Sequence, residues 1–273
     1  MTMGYFKDRL LSGRNAFISG GTSGINLAIA EALMEAGATV GVMSRKPEKV
    51  EAALALLSQK GKAFGYSADV RNFEAVSSAL EQFHQAAGPI DIVISGAAGN
   101  FVAPANAMSS NGFKTVLEID LLGSFHVYRG AYPFLRKPGA SLISISAPQA
   151  TETSFGQSHV AAAKAGVDML TKSLAVEWGP EGIRANCIIP GPIDGTEGMD
   201  RLTPNPAFRR HIEDSVALRR FGTKQEVAAM AVFLASDAAS YVTGSLMYCD
   251  GGMTLSMGGA MSPAAFDQFM KSP

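Results

Sequence analysis

A chain of 273 residues has the length of one large α/β domain or two small ones. Hydrophobic residues make up 47% of it and the formal net charge is −1, so it builds a core and carries no global field for nucleic acid or an anionic membrane. Cys187 and Cys249 stand far apart, match no metal spacing and read as reduced thiols, so no metal is expected.

In chain order, short apolar runs alternate with segments of helical period. NAFISG (15–20) reads as a buried strand and INLAIAEALMEAG (25–37) as a helix closed by glycine. ATVGVMSR (38–45) is a second strand, followed by a helix through KPEKVEAALALLSQKG. AFGYSADV is a third strand, and NFEAVSSALEQFHQAAG the next helix. DIVISGAAG (91–99) is a fourth strand. A long helix near FKTVLEIDLLGSFHVYRGAYPFL then precedes ASLISISA, the fifth. AAAKAGVDMLTKSLAVEWG is another helix, IRANCIIPGPI a sixth strand and SLMYCDGG (245–252) a seventh. This alternation implies parallel strands joined by right-handed crossovers with helices on both faces. The expected fold is α/β, a doubly wound parallel seven-stranded sheet of the Rossmann type, with residues 1–273 forming one domain. The N-terminal stretch MTMGYFKDRLLSG lacks the apolar core of a signal peptide, no run is long enough to span a bilayer, and FMKSP is not an S-K-L address. A cytoplasmic location is the expectation.

GGTSGIN (20–26) falls after the first strand and opens the first helix. In that context small residues let the backbone approach a pyrophosphate, and the helix start supplies free N–H donors. Gly20, Thr22, Ser23, Gly24 and Ile25 are therefore candidate cofactor contacts, against the plainer reading of a tight turn. At the end of the second strand, Ser44, Arg45 and Lys46 replace the acidic residue that grips an NAD ribose. Cations and a hydroxyl suit a 2′-phosphate and point to NADP(H), although an ordinary solvated basic loop has the same composition. Asp69 and Val70 close the third strand where a carboxylate and an apolar wall would hold an adenine, or where Asp69 would simply serve a loop.

With SGGTSGI, the ADV after strand three, SGAAG at 95–99, Lys164, PGPI at 190–193 and YVTGSLMYCDGG, nearly the whole chain resembles the short-chain dehydrogenase/reductase family. Within it, AAGNF (97–101), FKTVLEID (113–120), LAVEWGPEGIRAN (174–186) and GPIDGTEGMDRL (191–202) are most similar to 2,4-dienoyl-CoA reductases of the peroxisomal type. The resemblance implies that Ser95, Ala97, Ala98, Lys164, Pro190, Gly191, Pro192 and Ile193 join the cofactor site. It also implies tetramers, built by long helices and the region of the last strand; the apolar faces of 113–135 and 160–178 suit this, and equally suit burial within one chain.

The departures from the family define the chemistry that remains. The third glycine of the turn is Asn26. The family's tyrosine, four residues before Lys164, is Val160; its serine is Ala147; its asparagine is Asp120. Valine and alanine neither donate nor accept a proton, so ordinary carbonyl reduction is not expected. A conjugated acyl-CoA fits instead: hydride from NADPH enters the far end of a 2,4-dienoyl-CoA, and the resulting dienolate is protonated through water; the resemblance implies that the product is a 3-enoyl-CoA. By resemblance Lys164 holds the nicotinamide ribose and places positive charge near the enolate. Asp120 and Asp250 are candidates for polarising the water. Asp120 reads equally as a helix-kink residue, and Asp250 as a turn residue. His159 is a secondary candidate acid, because neighbouring helix residues point about a hundred degrees apart. Gln149 stands where mitochondrial-type relatives carry a displaced tyrosine, and can only hydrogen-bond a thioester oxygen.

Phe101 lies just past the fourth strand, where an aromatic would face an acyl chain or merely pack. Residues 194–220 read as a substrate lid, whose Arg201, Arg209 and Arg210 would meet CoA phosphates or be solvated; only Arg201 also matches the family position. Two other functions stay open: another reductase of an enoyl thioester or a non-CoA conjugated substrate, and a catalytically silent NADP-binding member.

Overall fold

The structure, a computed structural model, describes residues 9–202 and 205–256, with side chains for all of these except 200–202 and 256. Seven strands form one sheet: β1 (Asn15–Ser19), β2 (Thr39–Ser44), β3 (Ala63–Ser67), β4 (Ile92–Ser95), β5 (Ser141–Ile145), β6 (Arg184–Pro190) and β7 (Leu246–Cys249). Their order is β3-β2-β1-β4-β5-β6-β7 and every pairing is parallel, so the doubly wound sheet is the fold.

Strand periodicity sorts the core onto two faces. Along β1, Ile18 faces one layer and Phe17 the other; along β4, Ile92 and Ile94 oppose Val93. The first layer packs Ile18, Val40, Val42 and Ile94 against Ile29 and Leu33 of α1 (Gly24–Glu35). The second packs Phe17, Val93 and Leu142 against Leu80 and Phe83 of α3 (Phe73–Ala87). Between β2 and β3 runs α2 (Pro47–Leu57). Winding reverses at β1 and β4, whose register pairs Ser19 with Ser95. The loops leaving these two strand ends therefore open a crevice between them, the usual ligand position of such sheets.

The helix expected over 113–135 is not continuous. It divides into α4 (Ser110–Leu117), a π turn over Glu118–Leu122, α5 (Gly123–Ala131) and a 3-10 turn over Tyr132–Phe134. The turn is held by two bonds: the buried Ser124 hydroxyl donates to the Asp120 carbonyl (2.6 Å) and accepts from Ser95 Oγ on β4 (2.9 Å). Next comes α6 (Ser158–Trp178), three residues earlier in its start than the sequence pattern shows. Within 194–220 lie α7 (Glu197–Leu202) and α8 (Pro206–Ser215).

One helix absent from the chain-order reading is α9 (Lys224–Ala235), opened by a reciprocal capping box between Thr223 and Glu226. Its Val227, Ala231 and Leu234 join the first core layer against α1. A last short helix, α10 (Met253–Ser256), follows β7.

Candidate active site

Lys164 sits on α6 with 6% of its surface exposed. A buried ammonium costs several kcal/mol unless it is compensated. Nζ donates to the carbonyl of Ile145 at the end of β5 (2.9 Å) and lies 3.2 Å from Asp120 Oδ2. That second contact lacks hydrogen-bond geometry, since Oδ2 has no hydrogen-bond partner, and is an ion pair held by charge. Asp120 is 1% exposed, and its Oδ1 accepts the backbone N–H of Gly99 (2.7 Å). The π turn is what brings this carboxylate to the lysine. An ammonium has three donors, so at least one remains for a ligand.

Both side chains line a cleft of about 1440 Å³ at the crevice between the β1 and β4 loops. One wall is Ser23, Gly24, Ile25 and Asn26, and another is Gly96, Ala98 and Gly99. Pro190, Gly191, Pro192 and Ile193 close a third side. Val160 and Ala147 also face the cleft, so hydrocarbon stands where a proton donor would. From the 194–220 segment, Thr196, Met199, Phe208 and Ile212 complete the outer rim.

The residues present fit a dinucleotide. Gly24 has φ +58°, and a Cβ built there meets nothing within 4 Å, so it would protrude into open space. Ser23 makes no side-chain cap to α1, leaving the helix-start N–H groups for an anion. Gly20 (φ +72°) supports this turn from behind, where a Cβ would stand 2.7 Å from Ala97 N. Thr22 is buried, and Ala97 contributes its backbone to the same contact.

Other expected contacts are further out. Ser44 and exposed Arg45 end β2 outside the cleft lining, beside Ser67, whose hydroxyl donates to the Arg45 carbonyl. Asp69 and buried Val70 also lie outside the lining. The Asp69 carboxylate is gripped by Arg71 through a two-pronged contact (Nε–Oδ1 3.0 Å, Nη2–Oδ2 2.6 Å), which holds its carboxyl below the usual range. Arg71 was not singled out from the sequence. Ser95 is buried and committed to Ser124, a structural bond that supports the π turn.

Four candidates stand outside the cleft lining. Asp250 is outside the lining: its carboxylate accepts from the backbone of Gly252 (3.0 Å) and from the backbone and hydroxyl of Thr254 (2.9 and 2.8 Å). Burial raises its pKa, but these bonds outweigh that and the net shift is downward. The residue backs the cleft from behind Gly191, where a Cβ would lie 2.6 Å from Asp250 Cα and 2.9 Å from its Cβ. Phe101 packs on His159, ring centres 4.3 Å apart, and Val102 faces the cleft in its place. Arg209 is bound to Asp194 (2.9 Å) and Glu213 (3.1 Å), and Arg210 is exposed outside the lining. The side chain of Arg201 lies outside the described residues. Lys46 occupies the residue before α2 without a side-chain cap bond, its ammonium 4.0 Å from Glu48.

Gln149 does line the cleft, and it is not alone. Its Nε2 donates to Gln157 Oε1 (2.8 Å), and Gln157 Nε2 donates to Asn100 Oδ1 (3.2 Å), so three amides form a chain along one side. Asn100 lies in the AAGNF stretch but was not singled out there, and Gln157 carries no motif signal; only the fold assembles them.

His159 is fully buried, neither ring nitrogen has a hydrogen-bond partner, and the ring is outside the lining. Burial lowers its pKa from 6.5, against the pull of Asp120 and the Phe101 backbone. Unfolded, it protonates near 6.5; folded, only at lower pH. Its contribution to stability is thus complete above the unfolded value and is lost as the pH falls through the folded one. The melting temperature of the wild type should therefore fall from about pH 6.5 downward, and His159→Leu should flatten that part of the profile; an unchanged slope in the variant would reject the assignment.

The family model described as enoyl-(acyl carrier protein) reductase matches residues 20–254. A peroxisomal 2,4-dienoyl-CoA reductase [(3E)-enoyl-CoA-producing] of Danio rerio is 44% identical over 249 residues, 90% of this chain and 83% of that protein. One of Saccharomyces cerevisiae is 41% identical over 261 residues, 93% and 88% of the two chains. Among solved structures, a short-chain dehydrogenase from Bacillus anthracis superposes with a TM-score of 0.84 at 36% identity, covering 92% of this chain and all of its own. A gluconate 5-dehydrogenase from Burkholderia cenocepacia in complex with NADP and tartrate gives 0.85 at 30%, covering 91% and 98%. Likeness of this extent, in sequence and in fold, places the chain in the short-chain dehydrogenase/reductase family, as an oxidoreductase with a nicotinamide-cofactor cleft.

Proposed function

We propose that the protein is an NADPH-dependent 2,4-dienoyl-CoA reductase that yields a 3-enoyl-CoA in the degradation of unsaturated fatty acids. The observation that carries this reading is a cleft with the Lys164–Asp120 pair intact and only Val160 and Ala147 where a carbonyl reductase needs a proton donor. When bound, the nicotinamide supplies a hydride. A dienoyl thioester in the cleft would accept it at C5, placing the developing charge on the thioester oxygen. The free Lys164 donor puts positive charge near that oxygen or the cofactor ribose. Asp120 would orient a water that delivers a proton to C2, leaving the C3–C4 double bond, with the hydroxide neutralised by a proton from solvent. The amides of Gln149, Gln157 and Asn100 offer neutral donors along the acyl thioester. Asp250, held in its turn, supports this role only through the Gly191 backbone.

NADPH oxidation with a 2,4-dienoyl-CoA, and none with a simple ketone, is the expected result; no consumption with any conjugated thioester despite NADPH binding would reject it. The product decides the finer point, because a relative from Bacillus subtilis, 39% identical over 242 residues, is named for a (2E)-enoyl-CoA product. A C3–C4 double bond by NMR supports protonation at C2. Preference for NADP(H) rests on Ser44 and Arg45. Arg45→Ala should raise the NADPH Kd about tenfold or more and leave NADH unaffected, as fluorescence titration would report. The same reading takes residues 194–220 as a lid over the acyl chain, the assembly as a homotetramer and the setting as cytoplasmic.

A further inference from the structure

Asn26 occupies the third position of the turn where the resembling family has glycine, and its side chain does something specific there. Nδ2 donates to the carbonyl of Gly96 across the crevice (2.8 Å). Gly96 is itself unusual: its φ is not positive, so conformational freedom does not explain it. Space does. A Cβ on Gly96 would stand 2.4 Å from both Nδ2 and Oδ1 of Asn26. The amide has no alternative pose in place, because flipping it would set its oxygen against the Gly96 carbonyl, acceptor against acceptor.

We propose that Asn26 is a positioning residue that latches the loop after β4 to the dinucleotide turn, and that Gly96 is glycine to make room for that latch. The latched loop is short and held at both ends. Gly96 is bound by Asn26, and Gly99 donates to Asp120, the partner of Lys164. Ala98 and Gly99, within the loop, line the cleft. The cofactor wall is thus held at one end by an amide on α1 and at the other by the carboxylate beside the lysine. An added methyl at Gly96 has one outlet: it displaces the Asn26 amide into the cleft, where a dinucleotide would lie.

This inference rests on dinucleotide binding and not on the dienoyl-CoA reading. Its test is a double-mutant cycle of Asn26→Gly and Gly96→Ala, read by NADP(H) titration and by melting without cofactor. Gly96→Ala should weaken the Kd by about tenfold and lower the melting temperature, Asn26→Gly should do both more mildly, and the double variant should recover most of the Gly96→Ala loss. A Gly96→Ala protein that matches the wild type, or a double variant no better than Gly96→Ala, overturns the latch. Coupling in melting temperature without coupling in Kd overturns the positioning role. A wild type that binds no nicotinamide dinucleotide overturns that role together with the reading beneath it, while the melting cycle still reports whether the two residues share space.

Discussion

Lys164→Met should abolish most turnover and destabilise the fold, and adding Asp120→Asn should restore the stability without the activity. Lys164 and Asp120 have side chains 8% and 1% exposed, so each is the other's compensation for leaving water. Removing the ammonium leaves a buried carboxylate whose Oδ2 has no hydrogen-bond donor. Breaking such a pair on one side costs about 3–5 kcal/mol. Asparagine at 120 removes the stranded charge and still offers an oxygen to Gly99 N–H, so the double variant should melt within a few degrees of the wild type. It should not regain turnover, because no cation then stands beside the cofactor ribose or the thioester oxygen; a loss of about a thousandfold in kcat/KM is expected. If the single variant melts like the wild type, the pair is not the buried contact described above. If the double variant recovers activity, the charge is not part of the chemistry.

The sheet was legible in the sequence because the inner strands are buried on both faces and read as apolar runs ended by glycine, proline or a small polar residue, while the edge strands β3 and β7 are only partly buried. The two interruptions of that legibility have physical causes. The π turn at Asp120 is held by Ser124 and Ser95, which are 29 residues apart, so no local pattern announces it. The helix α9 did have a local signal, the Thr223–Glu226 capping box, but it follows a long polar segment that read as one loop.

The site was legible to the extent that it is made of backbone. Gly20 and Gly24 could be placed from strand-turn-helix order, because their roles depend on where a strand ends, and the 190–193 segment from the family resemblance. Side chains that act by reaching across the sheet were harder. Asp250 in CDGG read as a water-polarising carboxylate or a turn residue, and its acceptors are filled by Thr254 and Gly252; Phe101 read as facing an acyl chain or packing, and it packs on His159. Arg71, two residues from Asp69, and Gln157, eight from Gln149, matter through contacts that spacing does not encode.

Gly20→Ala and Gly24→Ala should separate two reasons for glycine within one turn. Both have positive φ, +72° and +58°, so each alanine pays about 1–2 kcal/mol for the left-handed backbone. At Gly20 the added methyl also meets Ala97 N at 2.7 Å, Ala97 Cα at 2.8 Å and Gly96 C at 2.9 Å, all backbone of the neighbouring loop. Nothing there can rotate away, so β1 and the β4 loop must part, and destabilisation beyond about 4 kcal/mol is expected. At Gly24 the methyl meets nothing within 4 Å. That variant should fold and melt only slightly below the wild type, yet bind NADP(H) about a hundredfold more weakly, since the methyl fills the approach of the pyrophosphate to the helix start. Melting curves and dinucleotide titrations of the two proteins decide this together. Equal melting temperatures would contradict the close approach at Gly20, and undiminished binding by Gly24→Ala would move the pyrophosphate away from the start of α1.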